Sequence, residues 1–120
     1  MGKLEREFIM MPEFDRQWKA MGLTDDDLKE LQFELLLDPA KAPVIKGTGG
    51  LRKVRVSLPG KGKSGSARMA YVDFALFETI YLITAYPKSK KETLSDRECK
   101  VIKMMIERLE ESLRLRRERE

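Results

Sequence analysis

Gly47-Thr48-Gly49-Gly50-Leu51-Arg52-Lys53-Val54-Arg55-Val56-Ser57-Leu58 begins as a cluster of turn residues and then alternates strictly. Val54, Val56 and Leu58 fall on one side, and Lys53, Arg55 and Ser57 on the other, the period of a half-buried strand. Residues 59–66, Pro-Gly-Lys-Gly-Lys-Ser-Gly-Ser, then read as a loop. Residues 67–74 and 79–86 are rich in β-branched and aromatic side chains and read as two further strands. The links between the three are too short for parallel crossovers, so they must form an antiparallel meander.

Working outward from the meander, residues 7–11 suit a short edge strand stopped by Pro12. Phe14, Trp18 and Met21 recur at helical spacing up to Gly22. Thr24 before Asp25, Asp26 and Asp27 is a helix start, with a capping hydroxyl and acids beside the positive end of the dipole. That helix carries Leu28, Leu31, Leu35 and Leu36 and ends before Pro39. Ser95 with Glu98 forms a capping box for a last helix whose stripe is Ile102, Met105, Ile106, Leu109 and Leu113. The order is β-α-α-β-β-β-α. It predicts an α+β fold: a small, mainly antiparallel sheet with helices on one face and the other face open. One domain, 1–120, is expected, with residues 114–120 as a fraying tail.

No acidic residue stands between Asp38 and Asp73, yet eight basic ones do: Lys41, Lys46, Arg52, Lys53, Arg55, Lys61, Lys63 and Arg68. Residues 1–40 hold 5 basic and 10 acidic side chains and residues 69–120 hold 11 and 10, so the overall +4 hides one segment at +8. Such a segment attracts polyanions, nucleic acid foremost, although a basic run can equally be a solvated face. No stretch approaches the roughly 20 apolar residues of a membrane span, and the charged start is unlike a signal peptide. Cys99 is the single cysteine and there is no histidine, so neither a disulfide nor a thiolate or imidazole metal site is expected. A cytoplasmic protein with no metal, no cofactor and no membrane partner follows.

Two glycine motifs are misleading. Gly62-Lys63-Ser64 resembles the end of a phosphate-binding loop, but Ser57 stands where a glycine is needed and a strand follows instead of a helix. The GxGxxG match at residues 60–65 lies between two strands, outside any βαβ unit. The plainer reading is a hairpin loop whose Lys61 and Lys63 meet phosphates. Phe14 and Trp18 suit helix packing better than base stacking, and Cys99 suits a half-buried helix position.

Alternation puts Lys53 and Arg55 on one side, and Arg68 opens the neighbouring strand. Lys88, Lys90 and Lys91 follow the strand after that. A meander could gather Lys53, Arg55, Arg68 and Lys88 around one concavity, able to hold a phosphate and stabilise developing charge. Crowding of cations also favours a neutral lysine, which would let Lys53 act as a base. Without histidine, any RNA cleavage would have to rest on Lys, Arg and Tyr.

Residues 47–56, followed by Gly60-Lys61-Gly62-Lys63-Ser64-Gly65-Ser66-Ala67-Arg68, resemble the HigB-like branch of the RelE/ParE toxins of bacterial type II toxin–antitoxin modules. Tyr81-Leu82-Ile83-Thr84-Ala85-Tyr86-Pro87-Lys88, with Leu94-Ser95 opening the long helix, extends the resemblance over most of the chain. It implies a RelE-like microbial ribonuclease fold. It also implies ribosome-dependent cleavage of mRNA in the A site of the 70S ribosome, by attack of a ribose 2′-hydroxyl on the adjacent phosphate. Carried over by position, Lys53, Arg55, Arg68 and Lys88 are the catalytic set, with Arg52, Lys61, Lys63, Lys90 and Lys91 on the RNA. A helix-turn-helix antitoxin is the implied partner of a toxin that is monomeric alone. The last helix holds no tyrosine to match the one some members use. The competing readings are a ParE-like toxin acting on a protein such as gyrase, a non-catalytic RNA binder of the same fold, and a structural domain with a basic surface.

Overall fold

The computed structural model describes residues 5–56, 67–87 and 94–120. Four strands, β1 (Glu7–Met10), β2 (Arg52–Val56), β3 (Ala67–Phe74) and β4 (Thr79–Pro87), form one sheet in the order β1-β4-β3-β2. β2, β3 and β4 make the antiparallel meander, while β1 lies on the outer edge parallel to β4, with Phe8 opposite Ile80. The loop between β2 and β3 and the lysine-rich segment after β4 lie outside the described residues.

Helix α1 (Pro12–Ala20) starts with proline at its first turn, where the missing N–H costs nothing. Its Phe14 and Trp18 rings stack at 5.2 Å, both buried, and the Trp18 indole N–H donates to the Thr24 carbonyl at 3.0 Å. The aromatics are therefore packing residues. Helix α2 (Asp25–Leu37) is closed by a reciprocal box in which the Thr24 hydroxyl accepts from the Asp27 N–H while the Asp27 carboxylate accepts from the Thr24 N–H. Helix α3 (Asp96–Glu118) has the same device between Ser95 and Glu98. It stays helical through the mixed-charge run, where Arg117 lies over the Phe77 ring and Arg116 reaches Glu7.

The central strand β3 shows why the sheet has two covered faces. Ala67, Met69 and Tyr71 pack with Phe14, Trp18, Leu31 and Leu35 of α1 and α2 or stand beside residues that do. Ala70, Val72 and Phe74 pack with Ile106 and Leu113 of α3. Burial on both faces removes the polar–apolar alternation that a half-solvated strand would show. The expectation of helices on one face and an open second face is thus corrected. The three helices divide between the faces, since the stripe of α3 is too apolar to leave in water and the first face is already filled by the helical hairpin.

Tyr71, fully buried on the first face, donates its hydroxyl to the Pro39 carbonyl at 2.9 Å and ties the chain after α2 to the sheet. Burial pushes this phenol above its ordinary pKa, opposed in part by the Ala42 backbone and the Arg52 charge. No described helix is long and apolar enough to cross a membrane.

Candidate active site

Strand register assigns each cation a face. Across β2 and β3 the directly opposed pairs are Arg52 with Tyr71, Lys53 with Ala70, Val54 with Met69 and Arg55 with Arg68. Opposed residues share a face, so Val54 joins Met69 on the α1/α2 side while Lys53, Arg55 and Arg68 stand on the α3 side. Across β3 and β4, Arg68 opposes Tyr86 and Ala70 opposes Thr84. The result is a transverse row, Arg55–Arg68–Tyr86, on three neighbouring strands about 4.8 Å apart, with Lys53 one step along β2. The α3-side core extends along β3 and β4 only as far as Ala70 and Ile83, one step short of this row. Arg55 is exposed, whereas Lys53, Arg68 and Tyr86 are half-buried.

A β-bulge decides the membership of Tyr86. The register shifts between Ala70, opposite Thr84, and Tyr71, opposite Leu82, so Ile83 is the extra residue of β4. Up to Leu82 the faces alternate normally; past Ile83 they are exchanged. Ala85 is thereby sent to the α1/α2 core and Tyr86 to the cation side. Reading the sequence missed Tyr86 as a site residue. A strict period of two carried on from Tyr81 places it on the wrong face, and no residue in the run marks the bulge.

The turn before β2 fixes the cations in place. Thr48 is fully buried; its hydroxyl donates to the Ile45 carbonyl at 2.6 Å and accepts from the Leu51 N–H at 3.0 Å. Gly47, Gly49 and Gly50 have φ of 86°, 78° and 133°, values that L side chains rarely adopt.

Arg52 is placed on the opposite face from Lys53, Arg55 and Arg68. Its Nη1 donates to the Ala42 carbonyl and, at 3.4 Å, to that of Ala40, so it fastens the segment before the turn. Lys61, Lys63, Lys88, Lys90 and Lys91 lie outside the described residues. The absence of acids along 39–72 does not carry over fully into space. Asp27, Glu30 and Glu34 of α2 share a cleft of about 260 Å³ with Arg55 and Val56. Asp73, the acid that ends the stretch, is by contrast remote: it lies five residues along β3 from Arg68, about 17 Å. There it pairs with Arg6 at 2.8 Å, a hydrogen bond that pushes the Arg6 guanidinium above its ordinary pKa.

Two guanidinium groups, an ammonium and a phenol on one rigid sheet surface can bind a phosphodiester from several sides and exchange protons with it. The family described as "RelE toxin of RelE / RelB toxin-antitoxin system" matches this sequence over residues 10–115. The fold is also similar to that of a solved structure of a mutant E. coli toxin RelE in the free state. The TM-score is 0.53 at 16% identity, over 71% of this chain and 85% of that one.

Proposed function

The chain belongs to the RelE toxin family, and from that membership we propose that it is a ribosome-dependent endoribonuclease of the HigB-like branch, cutting mRNA in the A site. The observation that carries this reading is the Arg55–Arg68–Tyr86 row with Lys53 beside it. In the proposed reaction the 2′-oxygen forms a bond to the adjacent phosphorus and the bond from phosphorus to the 5′-oxygen breaks. A 2′,3′-cyclic phosphate and a 5′-hydroxyl result. The 2′-hydroxyl must lose a proton and the leaving 5′-oxygen must gain one. Arg55 and Arg68 hold the phosphoryl oxygens as negative charge builds on them, and Lys53 and Tyr86 are the adjoining side chains able to exchange protons.

The side chains suited to this chemistry are nitrogen cations and a phenol, so the reaction needs no metal. Lys88 would complete the catalytic set, Lys61, Lys63, Lys90 and Lys91 would extend contact to the RNA, and Arg52 would contribute through the segment that it fastens. The proposed partners are mRNA on the 70S ribosome in the cytoplasm and a helix-turn-helix antitoxin that binds a monomeric toxin. The 47–68 block supports the HigB-like assignment.

The test is addition of the protein to translating ribosomes programmed with a defined mRNA. Cuts within the A-site codon are expected, and Arg68→Ala should lower their rate by about 10²-fold or more, the scale of losing one transition-state contact. Its thermal unfolding should stay near that of the unsubstituted protein. Undiminished toxicity of Arg68→Ala would remove Arg68 from the site. Absence of cleavage together with inhibition of gyrase supercoiling would replace the reading with a protein-directed toxin.

A further inference from the structure

Next to the cation row, an open cleft of about 840 Å³ runs between the 45–47 segment, β2 and the first turns of α3. Among the described residues, Lys46, Lys53, Lys100 and Lys103 line it, against one carboxylate, Asp96. Lys100 and Lys103 are three apart on α3 and so lie on one helical face. They come from a part of the chain whose charges nearly cancel, and no run of basic residues announces them. The fold therefore adds to the strand cations two that are about fifty residues away. The Lys103 stem crosses the turn before β2, with its Cγ 3.1 Å from where a Cβ on Gly49 would sit. A Cβ there would make the lysine stem shift by a few tenths of an ångström, and the φ of +78° at this position also favours glycine, so the turn and the Lys103 stem are closely fitted.

We propose that the cleft is a second nucleotide subsite, which grips the sugar–phosphate backbone of single-stranded RNA beside the phosphate held by Arg55 and Arg68. The proposal rests on the ribonuclease reading in taking RNA as the polyanion. Lys53 belongs to both places, lining the cleft and standing one step from the row, so one strand can run from the first into the second. Lysines are point charges suited to phosphate, and among the described residues the cleft lining contains no Arg, Asn or Gln fork to read a base edge and no aromatic ring to stack on one. Its Ile45 and Leu94 offer only an apolar floor. Grip without base readout is the consequence: the subsite supplies affinity and register, indifferent to sequence.

Binding of 2′-O-methyl RNA oligonucleotides, which lack the attacking hydroxyl, tests this with the full chain. Two unrelated sequences are titrated between 50 and 200 mM salt. Lys100→Gln with Lys103→Gln should lower the dependence of log affinity on log salt by about 1.4, roughly 0.7 for each phosphate contact, which is about twenty-fold in affinity at 0.1 M. Both oligonucleotides should lose affinity equally. Lys19→Gln with Lys29→Gln, exposed on α1 and α2, should change neither quantity. An unchanged salt slope in the α3 variant would overturn the subsite, as would a loss confined to one sequence. So would lysine-dependent binding of polyglutamate without binding of RNA, which would make the cleft a seat for an acidic protein. Failure of the nuclease reading is a separate result: a lysine-dependent slope in a protein that cuts nothing leaves the subsite standing and removes the enzyme.

Discussion

Arg55 and Arg68 face each other directly across β2 and β3, on the same side of the sheet. Like charges in opposed positions destabilise a strand pair by roughly 0.2–1 kcal/mol, and the exposed α2 carboxylates of Glu30 and Glu34 beside Arg55 offset only part of this. Among the described residues, Arg55 is exposed and the core of that face stops at Ala70. In the proposed complex a phosphate between the two guanidinium groups would turn this repulsion into a shared attraction, so the pair would be costly in the free protein and useful with RNA bound. Arg55→Thr, which keeps a good strand former, should therefore move stability and activity in opposite directions. The urea midpoint should rise by the equivalent of about 0.5 kcal/mol with an unchanged slope. Cleavage should fall at least tenfold. A lower midpoint would show that Arg55 supports the fold and would remove the like-charge account.

Single elements were legible in the sequence wherever their signals are local. Both capping boxes lie within four consecutive residues, and β2 and β3 are bounded by glycine turns or by changes of residue type that need no tertiary information. What the sequence hid depends on distant partners. The parallel docking of β1 against β4, the passage of α3 over the cation face and the extra residue at Ile83 each follow from how finished elements fit together. The bulge matters most, since one inserted residue exchanges the faces of Ala85 and Tyr86. Lys53, Arg55 and Arg68 were readable as a group because all three depend on alternation within short strands. The turn at residues 47–50 is the element that holds this group in register. Thr48 bridges the Ile45 carbonyl and the Leu51 N–H from a fully buried position, and valine of similar shape can make neither bond. Thr48→Val should cost about 1–3 kcal/mol, the penalty for leaving the buried Leu51 N–H unsatisfied, while the Ile45 carbonyl keeps the backbone N–H of residue 48. The backbone amides of β2 should then exchange faster with solvent than those of β4. Equal protection of the two strands would mean that the turn does not position β2.

Across the whole molecule the charges separate by element rather than by stretch of sequence. The acids of α2 bring Asp27, Glu30 and Glu34 to one flank of Arg55, while the lysines of the 840 Å³ cleft extend the positive field on the α3 side. A polyanion approaching the Arg55–Arg68 row is therefore repelled on one side and attracted on the other. In the proposed complex the α2 acids would act as a wall that turns the bound strand toward the α3 side, at a cost in affinity. That cost can be bounded. A carboxylate about 8 Å from a phosphate repels it by roughly 0.5 kcal/mol in water, and 0.1 M salt, with a Debye length near 10 Å, removes about half of this. Glu30→Gln with Glu34→Gln should accordingly tighten RNA binding by about threefold at 50 mM salt and progressively less at higher salt. The second change also releases Lys41 from its 3.5 Å pairing with Glu34 and adds to the effect in the same direction. Asp27 is left in place because it closes the cap of α2. Weaker binding in this variant would mean that the α2 acids organise the cations, and would reverse the role given to them.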